Sequence, residues 1–299
     1  MVLPQIGRNM GTLTNRLEYV TDQDVFFDFC LWEYQPVIPS RNKFRSVNLL
    51  FHSFEVAGIS GRGFDLIHAL RRGIGDSRTV WGVKQLGDHL LWEFYFYDYR
   101  RRDRERSITK LLDVIRPFVP CEIRANENNH YFMFSIDISN DLVTGARELD
   151  EIHMYTDNVG STVSSGICYS LTGKGVRLEN FYFFFDAKTE MDKIRAKVAC
   201  SAYLDTTHIG IDSILWPELR DCRIIVAANK QQNDSVYFSG IDVGQLIFFL
   251  ERLHYPAALT SFVEENESKL DHLRYDVGFD YRMEGDDLMI LKSGYYGCF

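Results

Sequence analysis

Nowhere in this 299-residue chain does an apolar run approach the roughly 18 residues that a membrane-spanning helix requires. The six cysteines, Cys30, Cys121, Cys168, Cys200, Cys222 and Cys298, show neither a CxxC pair nor a Cys/His ligand spacing, which leaves no zinc module to organise the fold. Free thiols in a reduced, cytoplasmic setting are the expectation. The eight histidines lack an HxxxH pair, and Ser60, Ser165 and Ser239 have glycine neighbours without forming a GxSxG elbow. The segment Gly58-Ile59-Ser60-Gly61-Arg62-Gly63 matches neither the GxGxxG fingerprint nor the GxxxxGK[ST] phosphate loop. Residues 1–11 do not have the make-up of a signal peptide, and no Pro/Gly/Ser linker divides the chain, so a single domain is expected over residues 1–299. Positive charge is also in deficit. A formal net charge of −9 argues against a general nucleic-acid binder, which needs a cationic face to neutralise phosphates. The mixed run at 100–106 reads as a solvated loop leading into a helix.

Aromatic residues, by contrast, are abundant at 14 %, with 22 Phe and 16 Tyr. They cluster in a phrase that recurs. Leu91-Trp92-Glu93-Phe94-Tyr95-Phe96-Tyr97-Asp98 and Leu178-Glu179-Asn180-Phe181-Tyr182-Phe183-Phe184-Phe185-Asp186 share Phe-Tyr-Phe and end at an aspartate. Each precedes a helical pattern, at 107–118 and 190–204. Two looser echoes lie at 131–137, before a short polar helix near 141–149, and at 235–242, before a helix over 243–254. The closing aspartates suit helix N-caps.

Each aromatic strand is expected to follow a partner strand across a turn, with partners at 79–85, 166–171 and 222–229 joined through Gly- or Asn-bearing turns. The repeating unit is therefore strand–strand–helix. A further strand is expected at 46–54, a helix at 63–72, a closing hairpin from 275–283 and 288–296, and a helical lead-in over 1–43. Ten to twelve antiparallel strands with helices on one face would be strained as an open sheet, and closure removes its edges. The expected fold is thus α+β: a closed antiparallel β-barrel of about ten strands built from ββα repeats, with the helices outside.

Alternation then explains the dense rings. Trp92, Phe94 and Phe96 share one strand face, and Glu93, Tyr95 and Tyr97 share the other. Asn180 and Tyr182 oppose Phe181 and Phe183; Ser235, Tyr237 and Ser239 oppose Val236 and Phe238. The hydrocarbon faces suit packing beneath outer helices, and the amphipathic faces suit a solvated lumen.

Repeated ββα units in a chain of about this size resemble the ABBA-type aromatic prenyltransferases, over roughly residues 44–296. Arg177-Leu178-Glu179-Asn180-Phe181-Tyr182-Phe183 is similar to that family's basic–x–x–Asn–x–Tyr–Phe strand, and Lys292-Ser293-Gly294-Tyr295-Tyr296 to its closing Lys–x–Gly–x–Tyr–Tyr strand. The resemblance implies transfer of a C5 or C10 isoprenoid from an allylic diphosphate to an electron-rich aromatic small molecule or peptide side chain. It implies that Lys292 binds diphosphate and that Tyr296 lines the pocket. The chain departs from the pattern in three places. Glu93 stands where a basic residue is expected, with Lys84 on the paired strand as a substitute. Ser235 replaces an arginine, so that Arg223 or Lys230 must supply that charge. Asn48 replaces the aspartate of magnesium-dependent members, so no cofactor is required and magnesium is not indicated.

Stabilising a diphosphate leaving group without metal requires converging cations and hydroxyls. Lys84, Arg223, Lys292, Tyr182 and Tyr237 are the candidates for that role. The carbocation left behind needs π faces, for which Tyr95, Tyr97, Asn180 and Tyr296 form the candidate prenyl and acceptor pocket. Glu93 is the candidate carboxylate that takes or orients the acceptor's proton. The partners so implied are the prenyl diphosphate and the aromatic acceptor, with neither nucleic acid nor membrane, and a monomer. Two other readings stand beside this one: a non-catalytic barrel holding a hydrophobic ligand, and an interaction protein with no closed lumen. For each candidate a purely structural role is the alternative, with lysines as solvated rim residues, tyrosines as cross-strand packing and Glu93 paired to a neighbouring cation.

Overall fold

A computed structural model describes residues 17–76, 78–100 and 104–299. A ribbon of two short strands, β1 (Phe26–Phe27) and β2 (Glu33–Tyr34), leads to helices α1 (Val47–Val56) and α2 (Gly61–Ile74). There follow β3 (Thr79–Leu86), β4 (His89–Tyr97), α3 (Ile108–Ile115), β5 (Met133–Ile138), α4 (Asn140–Thr144) and β6 (Glu151–Asp157). Next come β7 (Ser165–Thr172), β8 (Gly175–Asp186), α5 (Met191–Ala199), β9 (Ile224–Asn229) and β10 (Asp234–Ile241). The helices α6 (Val243–Arg252), α7 (Ala257–Glu265) and α8 (Glu267–Leu270) then precede the final hairpin, β11 (Tyr275–Glu284) and β12 (Asp287–Cys298).

Strands β3 to β12 form a closed ten-stranded barrel in which every strand pairs antiparallel with its neighbour in sequence, and β12 returns to β3. The protein is α+β, with helices outside the barrel. Tight turns set the register. Gly87 and Gly285 open two-residue connections at φ +56° and +65°, the left-handed backbone that hairpin turns of this length need. Among the described residues no helix is long and apolar enough to cross a membrane. All six cysteines are unpaired.

Alternation divides the apolar residues into two bodies. Trp92, Phe94 and Phe96 of β4 point outward into a large core that includes Phe54 of α1, Ile67 of α2 and Leu111 of α3. The Trp92 indole donates to Ser53 Oγ at 2.8 Å, tying α1 to the wall. Tyr95 and Tyr97 point inward and join Tyr155 and Tyr296 in a second, smaller cluster. The same division holds on β10, where Val236 and Phe238 are fully buried under the outer helices and Tyr237 faces in.

Several expectations are corrected. Residues 46–54, read as a strand, belong to helix α1. Val47, Leu50, Phe51 and Phe54 follow helical spacing, but buried neighbours fill in the remaining positions and blur the period. Residues 17–43, expected as part of a helical lead-in, contain the β1–β2 ribbon and no helix; residues 1–16 lie outside the described residues. The helix near 141–149 is short, stopped by Gly145 in the left-handed conformation, which frees 151–157 to form β6. Only Asp242 caps as expected, in a capping box with Gln245. Ser107 and Ser139 cap α3 and α4, while Asp98 and Asp186 bind turn amides instead. In the charged run Arg101, Arg102 and Asp103 lie outside the described residues. Arg104 is not solvated, since its guanidinium lies 3.6 Å from the centre of the Tyr131 ring.

Candidate functional site in the barrel lumen

The barrel is hollow. A cavity of about 350 Å³ opens at the end that carries the tight turns. Its wall is built from inward positions of strands that alternate polar and apolar: Lys84 on β3, Glu93 and Tyr95 on β4, Asp137 on β5, Tyr155 on β6, Tyr182 on β8, Tyr237 on β10, Asp280 on β11, and Lys292 and Tyr296 on β12. Beneath it lies an apolar space of about 70 Å³.

Five tyrosines, Tyr95, Tyr155, Tyr182, Tyr237 and Tyr296, line both spaces and form a belt between them. Successive ring centres are 6.0 Å (Tyr296–Tyr95), 6.1 Å (Tyr95–Tyr155), 6.0 Å (Tyr155–Tyr182) and 6.4 Å (Tyr182–Tyr237) apart. Burial pushes all five hydroxyls well above the ordinary phenol range, so they stand as neutral donors. Glycines make room for the belt. A Cβ at Gly278 would fall 2.2 Å from the Tyr237 ring, one at Gly82 would fall 2.5 Å from the Tyr296 ring, and one at Gly294 would fall 2.9 Å from the Tyr296 hydroxyl. This gives a steric reason for the glycine in Lys292-Ser293-Gly294-Tyr295-Tyr296.

Charge in the lumen is divided into two clusters. On one side Lys84 is held by two carboxylates: Glu93, in close contact, and Asp137 at 2.8 Å. Burial opposes the charge on Lys84, but Asp137 and Glu93 outweigh it and hold the ammonium above its ordinary range. Ser135 donates to Glu93 at 2.8 Å and adjoins the Tyr155 hydroxyl at 3.3 Å. On the other side two lysines share one carboxylate: Lys230 lies 2.7 Å and Lys292 3.4 Å from Asp280. Burial would raise the Asp280 carboxyl, but Lys230 and Lys292 overcome it and hold the group well below the usual carboxylate range. Lys230 also reaches the Tyr237 hydroxyl at 3.5 Å. Counting formal charges, the first cluster carries one surplus negative charge and the second one surplus positive charge.

Most of the residues singled out in the sequence meet here: Lys84, Glu93, Tyr95, Asn180, Tyr182, Tyr237, Lys292 and Tyr296 all line the cavity. Two do not. Arg223 sits at the opposite end of the barrel, 3.2 Å from Asp28 and over the Trp32 ring at 4.4 Å, because it precedes β9 rather than following it. Lys230, in the β9–β10 turn, supplies the cation on that side. Tyr97 is also at the far end, where its hydroxyl donates to the Phe29 carbonyl at 2.6 Å. Asn48 lies on α1 outside the lumen, bonded through its side chain to the Glu18 backbone. Sequence reasoning missed Asp137, Tyr155 and Asp280 as site residues. Their signal was present as alternation: Ile152 and Met154 point outward around His153, and Val277, Phe279 and Tyr281 point outward around Asp280.

The lumen carboxylates Glu93, Asp137 and Asp280 are each engaged by lysine. In comparisons with known proteins, no family model and no curated protein matches the chain.

Proposed function

We infer that the barrel is an aromatic prenyltransferase, moving a C5 or C10 isoprenoid from its allylic diphosphate to an electron-rich acceptor. The observation that carries this reading is the belt of five tyrosines set between a lysine pair and a small apolar space. The donor would lie across the belt. Its diphosphate takes the positive cluster at Lys230 and Lys292, with the Tyr237 and Tyr182 hydroxyls as added donors, and its hydrocarbon lies below among the rings. The allylic C–O bond breaks, and the electron pair leaves with the diphosphate as negative charge develops beside the two ammoniums. The cation left behind faces π surfaces worth about 0.5–2 kcal/mol each. The acceptor's carbon or heteroatom forms the new bond, and its displaced proton passes to Glu93, on the negative side of the lumen. Asp137 and Lys84 would hold that carboxylate in place.

One observation favours a second reading, a non-catalytic barrel for a hydrophobic ligand: each lumen lysine already has a carboxylate partner and needs no phosphate to satisfy it. Incubation with dimethylallyl and geranyl diphosphates and a panel of indoles, phenols and aromatic peptides separates the two. The enzyme reading expects a product heavier by one or two isoprene units. Absence of product together with absence of diphosphate binding would refute it.

A further inference from the structure

The end of the barrel opposite the mouth is stopped by chain from outside the barrel. Residues 28–32 form a tight loop, closed by Leu31 N–H donating to the Asp28 carbonyl at 2.9 Å, with Leu31 in the left-handed region at φ +54°. The loop is tied to the barrel at several points. Phe29 N–H donates to Asp276 Oδ2 at 3.1 Å, and the Tyr97 and Tyr99 hydroxyls donate to the Phe29 and Cys30 carbonyls at 2.6 and 3.2 Å. Arg223 adds its contact with Asp28. So fixed, the Phe29 ring stands upright beneath the belt, its centre 5.2 Å from that of Tyr95 and 5.6 Å from that of Tyr296.

We propose that Phe29 is the floor of the hydrocarbon site and restricts the bound chain to five carbons. The proposal rests on the prenyltransferase reading above for the identity of that chain. The space between belt and floor measures about 70 Å³ and is lined by Met133, Phe184 and Val226 as well as Phe29. An apolar cavity of about 150 Å³ stays dry and accepts a benzene ring, so a space half that size holds at most a short branched chain and leaves no room for a second isoprene unit. Most of the other lining side chains belong to the barrel wall, and Cys30 belongs to the same loop as Phe29. Of the two loop residues it is Phe29 whose ring meets the belt, so truncating it lengthens the site instead of widening it. A pocket of fixed depth discriminates by excluding the extra carbons, with one methylene worth about 10–200-fold.

The test uses the full chain as wild type, Phe29→Leu and Phe29→Ala, with kcat/KM measured for dimethylallyl and geranyl diphosphates on one acceptor. In parallel, calorimetry measures affinity for the unreactive thiolo analogues of both donors. The expected result is a wild-type preference for the five-carbon donor of tenfold or more, an intermediate ratio in Phe29→Leu, and a shift of at least tenfold toward geranyl in Phe29→Ala. An unchanged ratio in variants that keep the wild-type melting temperature, or a wild type that already prefers geranyl, overturns the floor while leaving transferase activity standing. If no donor is turned over, the enzyme reading fails, and the analogue affinities decide the floor by the same ratio. Analogue binding to none of the three proteins overturns it as well. Should the alanine variant not fold, the leucine variant carries the comparison.

Discussion

Lys230 donates to Asp280 across 2.7 Å inside the barrel, and Lys292 reaches the other oxygen of the same carboxylate at 3.4 Å. One acid thus holds two bases that come from a turn and from the last strand. Asp280→Asn removes the anion and leaves the cations. Inorganic diphosphate is expected to bind about tenfold more tightly, equivalent to about 1.4 kcal/mol, by calorimetry. The carboxyl is depressed in the folded state, so its contribution to stability is present above its unfolded value near 3.9 and is lost as pH falls through the folded one. The variant is therefore expected to be less stable than wild type at pH 7, with the difference shrinking below pH 4.

Asp276 titrates in the opposite sense. Burial, with Asp28 nearby, pushes its carboxyl up to about 8. The folded protein then holds a proton that the unfolded chain has released, from about pH 4 to about pH 8, so stability falls as pH rises through that window. The slope due to this group approaches about 1.4 kcal/mol per pH unit. Urea unfolding at pH 5, 6.5 and 8 checks it. Asp276→Asn keeps an acceptor for the Phe29 amide and is expected to lose that slope.

Lys84 is 5 % exposed and lies between two acids. Lys84→Met leaves Glu93 and Asp137 facing each other without a counter-charge. The expected loss is about 3–5 kcal/mol, the usual cost of breaking a buried pair by removing one partner. Lys292, whose side chain is 32 % exposed, is expected to cost at most about 1 kcal/mol on replacement by alanine. Diphosphate affinity is expected to fall in that variant. Denaturant unfolding compares the two.

Gly278 has no room for a methyl group because the Tyr237 ring lies 2.2 Å from the Cβ position. Gly278→Ala is expected to destabilise by about 1–3 kcal/mol through overpacking. Removing the ring should remove the clash, so adding Gly278→Ala to Tyr237→Ala is expected to cost much less. A double-mutant cycle by thermal unfolding reads the coupling.

The barrel was legible in the sequence because period two is strict where both faces of a strand have a task. Glu93-Phe94-Tyr95-Phe96-Tyr97 sorts its rings by face without any tertiary knowledge, and the belt residues Tyr95, Tyr182 and Tyr237 follow from the same alternation, whereas Tyr296 was reached only through the resemblance of the closing strand. Helix α1 was lost because it is buried on nearly every side and reads as a continuous apolar run. The Phe29 plug was not legible at all. Its position depends on contacts with Tyr97 and Asp276, which are 68 and 247 residues away in sequence. Arg223 misled for a related reason: composition marks a cation, but only the position of β9 along the barrel decides which end it occupies.

Calorimetric titration of the purified chain with dimethylallyl thiolodiphosphate, repeated on Lys230→Ala/Lys292→Ala, tests the central claim most directly. The expected result is saturable binding of one molecule per chain that weakens at least a hundredfold in the double variant, about 2.7 kcal/mol. Absence of binding to wild type, or equal affinity in a folded double variant, would contradict the account.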